Sequence, residues 1–77
     1  MQTVYITVRS VTYGQRAQKI LEEKGISCVL ARARRWMEEK GCGYALKVRT
    51  EDVDGVLGYL DGIPWKGVYG EDGEKLR

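Results

Sequence analysis

Cys42 lies between two glycines in the run Lys40-Gly41-Cys42-Gly43-Tyr44, and of the side chains in this 77-residue sequence it has the clearest potential for chemistry. Glycine on either side, Gly41 and Gly43, leaves the backbone free and removes neighbouring side chains that would shield the sulfur. A thiol acts as a nucleophile in its thiolate form, which exposure, adjacent positive charge and a helix N-terminus all favour. Lys40, Arg34 and Arg35 supply the charge, and a helix is expected to begin at Thr12. The competing reading makes Cys42 a small residue tucked under a turn, because free cysteine is among the most buried residue types. The second thiol, Cys28, stands in phase with Leu30 and reads as core filler rather than as a resolving thiol.

What is missing narrows the chemistry further. Histidine is absent, so serine–histidine and cysteine–histidine nucleophile pairs cannot be built, nor can a histidine-ligated metal site. Thirteen residues separate the two cysteines and there is no third, so no four-ligand zinc or iron–sulfur site is available within one chain. No metal and no cofactor is expected, and so thin a set of groups argues against an enzyme with a substrate of its own. A net charge of +2 is too small to imply nucleic acid, although four cations and two carboxylates crowd into Arg32-Ala33-Arg34-Arg35-Trp36-Met37-Glu38-Glu39-Lys40. No apolar run approaches the roughly 18 residues that a membrane span needs. The opening Met-Gln-Thr-Val-Tyr-Ile-Thr-Val alternates, unlike the basic stretch and apolar block of a signal peptide. A cytoplasmic location is expected, where thiols stay reduced.

Positioning these groups falls to a short series of strands and helices. Val4, Ile6 and Val8 alternate with Tyr5 and Thr7, which predicts a strand over residues 4–8. Thr12-Tyr13-Gly14-Gln15 fits the capping-box pattern, with Ser10 as an alternative cap. Tyr13, Ala17, Ile20 and Leu21 then form a helical stripe that Gly25 stops. Residues 26–33 alternate again as a second strand, 34–43 form a connection, and 44–49 make a third strand with Tyr44, Leu46 and Val48 on one face. Thr50 is expected to cap a second helix whose stripe is Val53, Val56, Leu57 and Leu60, ended by Gly62-Ile63-Pro64 before a last strand at 67–69. Residues 1–70 should form a single domain, with 71–77 a disordered tail. The order βαββαβ predicts an α+β ferredoxin-like sandwich: a four-stranded antiparallel sheet with two helices on one face. In that topology Ser10 and Thr12, Cys42, and Trp65 with Lys66 gather at one end.

Two other features of the sequence compete for attention. Trp36 and Met37 either cover the open end of the sandwich or form a docking anchor, since tryptophan and arginine dominate interface hot spots. RNA-recognition motifs share the topology and bind through aromatics on strands 1 and 3. Lys40-Gly41-Cys42-Gly43-Tyr44 matches the strand-3 signature except that Cys42 takes an aromatic place, and Lys47 replaces a later aromatic. Alternation also puts Tyr5 and Tyr44 on opposite faces, so nucleic acid is disfavoured as a partner.

The chain resembles a family of small bacterial domains described as selenium/sulfur carrier-like proteins. The resemblance is carried by the Ser10-Val11-Thr12 turn, by Leu21-Glu22-Glu23-Lys24-Gly25-Ile26 and by Cys42-Gly43-Tyr44-Ala45-Leu46-Lys47-Val48. Glu51-Asp52-Val53 and Lys66-Gly67-Val68-Tyr69 complete it. Ahead of the cysteine the chain departs from the family, with Arg35-Trp36-Met37-Glu38-Glu39-Lys40 in place of a more proline- and serine-containing loop. The resemblance implies that Cys42 holds sulfur or selenium as a persulfide-type adduct, taken from a donor protein and passed to an acceptor. Lys40, Arg34 and Arg35 would stabilise that anion and, with Trp36, receive the partner. The alternative is a non-catalytic ferredoxin-like binding or regulatory module, RNA-binding modules included. A homodimer through the open sheet face is compatible with either.

Overall fold

Period-2 alternation makes β1, Gln2–Val8, and turns Val4, Ile6 and Val8 toward the interior, where all three are fully buried. The structure is a computed structural model and describes residues 2–32 and 43–76. After β1 come α1 (Val11–Glu23), β2 (Cys28–Arg32), β3 (Tyr44–Thr50), α2 (Val53–Tyr59) and β4 (Trp65–Gly70). The sheet order is β2-β3-β1-β4, antiparallel throughout, which is the expected α+β ferredoxin-like arrangement. Val4, Ile6, Val8, Leu46, Val48 and Val68 from the sheet meet Ala17 and Leu21 of α1 and Val53, Val56 and Leu60 at α2 in one core. Fully burying each of its leucines contributes roughly 1.5–3 kcal/mol. A smaller cluster of Tyr5 and Ala45, with Tyr69 against it, lies on the other sheet face.

Several boundaries differ from the sequence expectation, each for a local reason. Ser10 rather than Thr12 caps α1, its Oγ accepting from the Tyr13 N–H at 3.4 Å, which leaves Thr12 exposed within the first turn. Asp52 caps α2 by accepting from the Gly55 N–H at 3.0 Å, whereas Thr50 ends β3 and accepts from the Asp52 N–H. Strand β2 starts at Cys28 because Ile26 belongs to the helix stop. The Gly25 N–H donates to the Glu22 carbonyl and the Ile26 N–H to the Leu21 carbonyl, with Gly25 at φ 76°, a Schellman turn. The tail read as disordered is bonded back onto β4. There the Leu76 N–H donates to the Val68 carbonyl at 2.7 Å, the Gly70 N–H donates to the Glu74 carbonyl, and Leu76 packs on the core. No described helix is long and apolar enough to cross a membrane.

Candidate functional site

Register assembles one end of the sandwich from all four strands. Arg32 pairs with Tyr44, Tyr44 with Val8, and Val8 with Trp65, so the four lie in one row. At about 4.8 Å between strands this rim is about 14 Å wide. Val8 and the packed sides of Tyr44 and Trp65 anchor it to the core. A register shift between Thr7 and Val8 leaves Lys66 as an extra, exposed residue in β4. Past Val8 the chain turns through Arg9 and Ser10 into α1, so the partially positive N-terminus of a 13-residue helix opens at the same end. Gly43 is buried and leads into β3 at this rim.

The expected neighbourhood of Ser10, Thr12, Trp65 and Lys66 is thus formed by described residues. Cys42, Gly41, Lys40, Trp36, Arg35 and Arg34 lie outside the described residues. Arg9 and Arg32 are exposed members of the rim that sequence reasoning did not single out as site residues. Their signal was positional, since one directly follows the first strand and the other ends the second.

Carboxylates are sorted along the strand axis. Arg9, Arg32 and Lys66 lie at the rim, whereas every described carboxylate except Asp61 lies in the opposite half, at the end of α1, the start of α2 or the β4 turn. Open clefts of about 420 and 460 Å³ occupy that opposite end. Glu51 and Asp52 border the first, and Glu71, Asp72 and Glu74 the second. Lys24, Arg49 and Lys75 also lie in that half, Arg49 lining the first cleft, but carboxylates outnumber them, so an anion approaching this molecule is favoured at the rim over the other pole. Among the described residues no group of His, Cys, Asp and Glu could hold a metal ion.

Cys28 belongs to neither pole's chemistry. It pairs with Val48, at the end of β2 remote from Arg32, and its half-buried thiol points toward α1, donating to the Gln18 carbonyl at 3.8 Å. Burial, and then the Glu22 carboxylate, push its pKa above the ordinary 9.0. The protonated form is favoured, which suits core filler.

The face opposite the helices is a poor platform for bases. Tyr5 is only 7% exposed, and Tyr44 packs with the helix-side core, so the two rings are on different sides of the sheet, as alternation predicts. Stacking needs an accessible ring face, and each lost platform forfeits roughly 1–3 kcal/mol per base.

A family model described as "Putative Se/S carrier protein-like" matches residues 3–70, which includes every strand of the sheet from Thr3 onward and both helices. No curated protein and no solved structure matches the chain significantly.

Proposed function

The chain belongs to the Se/S carrier protein-like family, and from that premise we propose that it holds sulfur or selenium on the Cys42 thiol and passes it between partner proteins. The observation that carries this reading is the sorting of carboxylates: the rim into which Gly43 leads gathers Arg9, Arg32, Lys66 and the α1 N-terminus, away from nearly all described carboxylates. These groups favour a thiolate and the anionic adduct that replaces it. Loading is a redox-neutral exchange. The Cys42 thiolate attacks the terminal sulfur of a donor persulfide, a new S–S bond forms as the old one breaks, and the donor departs as its own thiolate. Selenium follows the same course through a Cys–S–SeH adduct, and delivery repeats the exchange on the acceptor's thiolate.

Gly41 and Gly43 keep the sulfur approachable, Lys40, Arg34 and Arg35 add positive charge, and Trp36 is the docking anchor for an acidic partner. Thr12, exposed in the first turn of α1, is a further contact for that partner. Cys28, with its raised pKa, stays out of the exchange. Mass spectrometry after incubation with a persulfide donor tests the assignment. One added sulfur on the Cys42 peptide, lost in Cys42→Ser while the fold is kept, is the expected result. Loading on Cys28, or none on Cys42, overturns it.

A further inference from the structure

The two edges of the sheet are treated differently. The tail covers β4, but β2 faces outward with nothing bonded to its free side among the described residues. An uncovered edge invites pairing unless charge, proline or a bulge blunts it, and in Cys28–Arg32 the one charge is Arg32 at the strand's end, with no proline and no bulge. Val29 is 58% exposed and Ala31 is exposed beside it. We propose that β2 pairs antiparallel with β2 of a second copy about a two-fold axis at Leu30, joining two sheets into one of eight strands.

The hydrogen-bond phase fits such an axis. The Arg49 N–H donates to the Ser27 carbonyl, and alternation from there turns the N–H and C=O groups of Val29 and Ala31 toward β3. Those of Cys28, Leu30 and Arg32 therefore point outward. About the Leu30 axis, Leu30 meets its own copy and Cys28 meets Arg32, which closes bonds from all three outward residues on each chain. Val29 meets Ala31 in the closer, non-hydrogen-bonded pairs, covering both exposed apolar side chains.

Charge also matches. On the helix side Gly14 lies over Leu30 and the Gln18 carbonyl over Cys28, so Glu22 comes one helical turn farther along the same stripe. Arg32 shares the helix-facing phase of Cys28 and Leu30, and opposite Cys28 of the second copy it meets that copy's Glu22, twice by symmetry. Pairing through the open sheet face would instead oppose Lys47 and Arg49 to their own copies, with no carboxylate on the open-face positions of the described strands. Because the paired β2 strands run in opposite directions, the two rims lie at opposite ends of the joined sheet, and each gives up only Arg32 to the contact, leaving Arg9, Lys66 and the α1 N-terminus outside it.

Sedimentation equilibrium under reducing conditions, over chain concentrations up to about 1 mM, tests the pairing independently of any carrier role. A reversible monomer–dimer equilibrium is expected. Val29→Lys should abolish the dimer, and Arg32→Glu and Glu22→Arg should each weaken it about tenfold or more. The double swap should restore it, with circular dichroism unchanged throughout. A monomer at every concentration, a dimer indifferent to Val29→Lys, or a double swap no better than its parents overturns the proposal.

Discussion

In a Cys42→Ser chain Cys28 is the remaining thiol, and its alkylation rate reads out how far the helix layer shelters it. Burial, aided by Glu22, raises its pKa above the ordinary cysteine value, so at pH 7 it is less ionised than an exposed thiol. A free cysteine of pKa about 8.5 is about 3% ionised at the same pH. Lower ionisation therefore slows Cys28 relative to a free thiol, and packing between β2 and α1 adds steric protection. Iodoacetamide labelling followed by intact-mass analysis, with and without denaturing urea, measures both terms together. Native Cys28 should label more slowly than the same thiol in the unfolded chain, and in the parent protein Cys42 should label first. Glu22→Gln should raise the Cys28 rate modestly by removing the second cause. Equal native and unfolded rates would refute the sheltering, and labelling of Cys28 ahead of Cys42 would reverse the roles of the two thiols.

Since the folded Cys28 pKa lies above its unfolded value, its contribution to stability is intact below the unfolded pKa and is lost as pH rises through the folded one. Urea midpoints taken upward from about pH 8 should therefore fall more steeply in the parent than in Cys28→Ala. Truncation after Gly70 removes the half-buried Leu76 and the backbone bonds to Val68 and Glu74, a loss of about 2 kcal/mol. An unchanged urea midpoint in the truncated chain would return the tail to disorder. A Cβ at Gly14 would come within 2.5 Å of Leu30 Cδ1, so Gly14→Ala should destabilise by about 1 kcal/mol despite alanine's better helix propensity; a stabilised protein would contradict the close approach of α1 to β2. Electrophoretic shift with mixed RNA oligonucleotides should show at most weak binding that vanishes as salt rises, and tight binding at physiological salt that is lost in Tyr5→Ala would contradict the buried placement of that ring.

Strand phase was legible in the sequence because burial enforces period two. Val4, Ile6 and Val8, then Tyr44, Leu46 and Val48, face the core as their spacing requires, and the helical stripes of α1 and α2 follow the same logic. Caps were less legible. Thr12 and Thr50 have the right chemistry, but capping depends on which residue leaves the extended region as the helix starts, and Ser10, the alternative the sequence offered, and Asp52, which it did not, hold those positions. The tail escaped notice because a single leucine carries no periodicity; its order comes from β4 offering an unpaired edge beside the core. At the candidate site, topology foretold that Ser10, Trp65 and Lys66 would converge. Arg9 and Arg32 stand at strand ends in the sequence, but that Arg32 shares one row with Trp65 and with Val8, which Arg9 follows, comes only from the register.

The cross-strand row at the rim has a consequence for synthesis. Strand β1 is made first, yet its partners are the third and last strands, and the Thr7 hydroxyl donates to a carbonyl 60 residues later. Closing loops of that size precedes any gain from pairing, which places such sheets among slower-folding small domains. Until β4 arrives, one side of β1 stands open and the rim lacks Trp65. A chain interrupted between Cys42 and that point carries the thiol, but it cannot present the four-stranded platform around it. A partner that recognises the platform therefore engages finished molecules and passes over nascent or truncated ones.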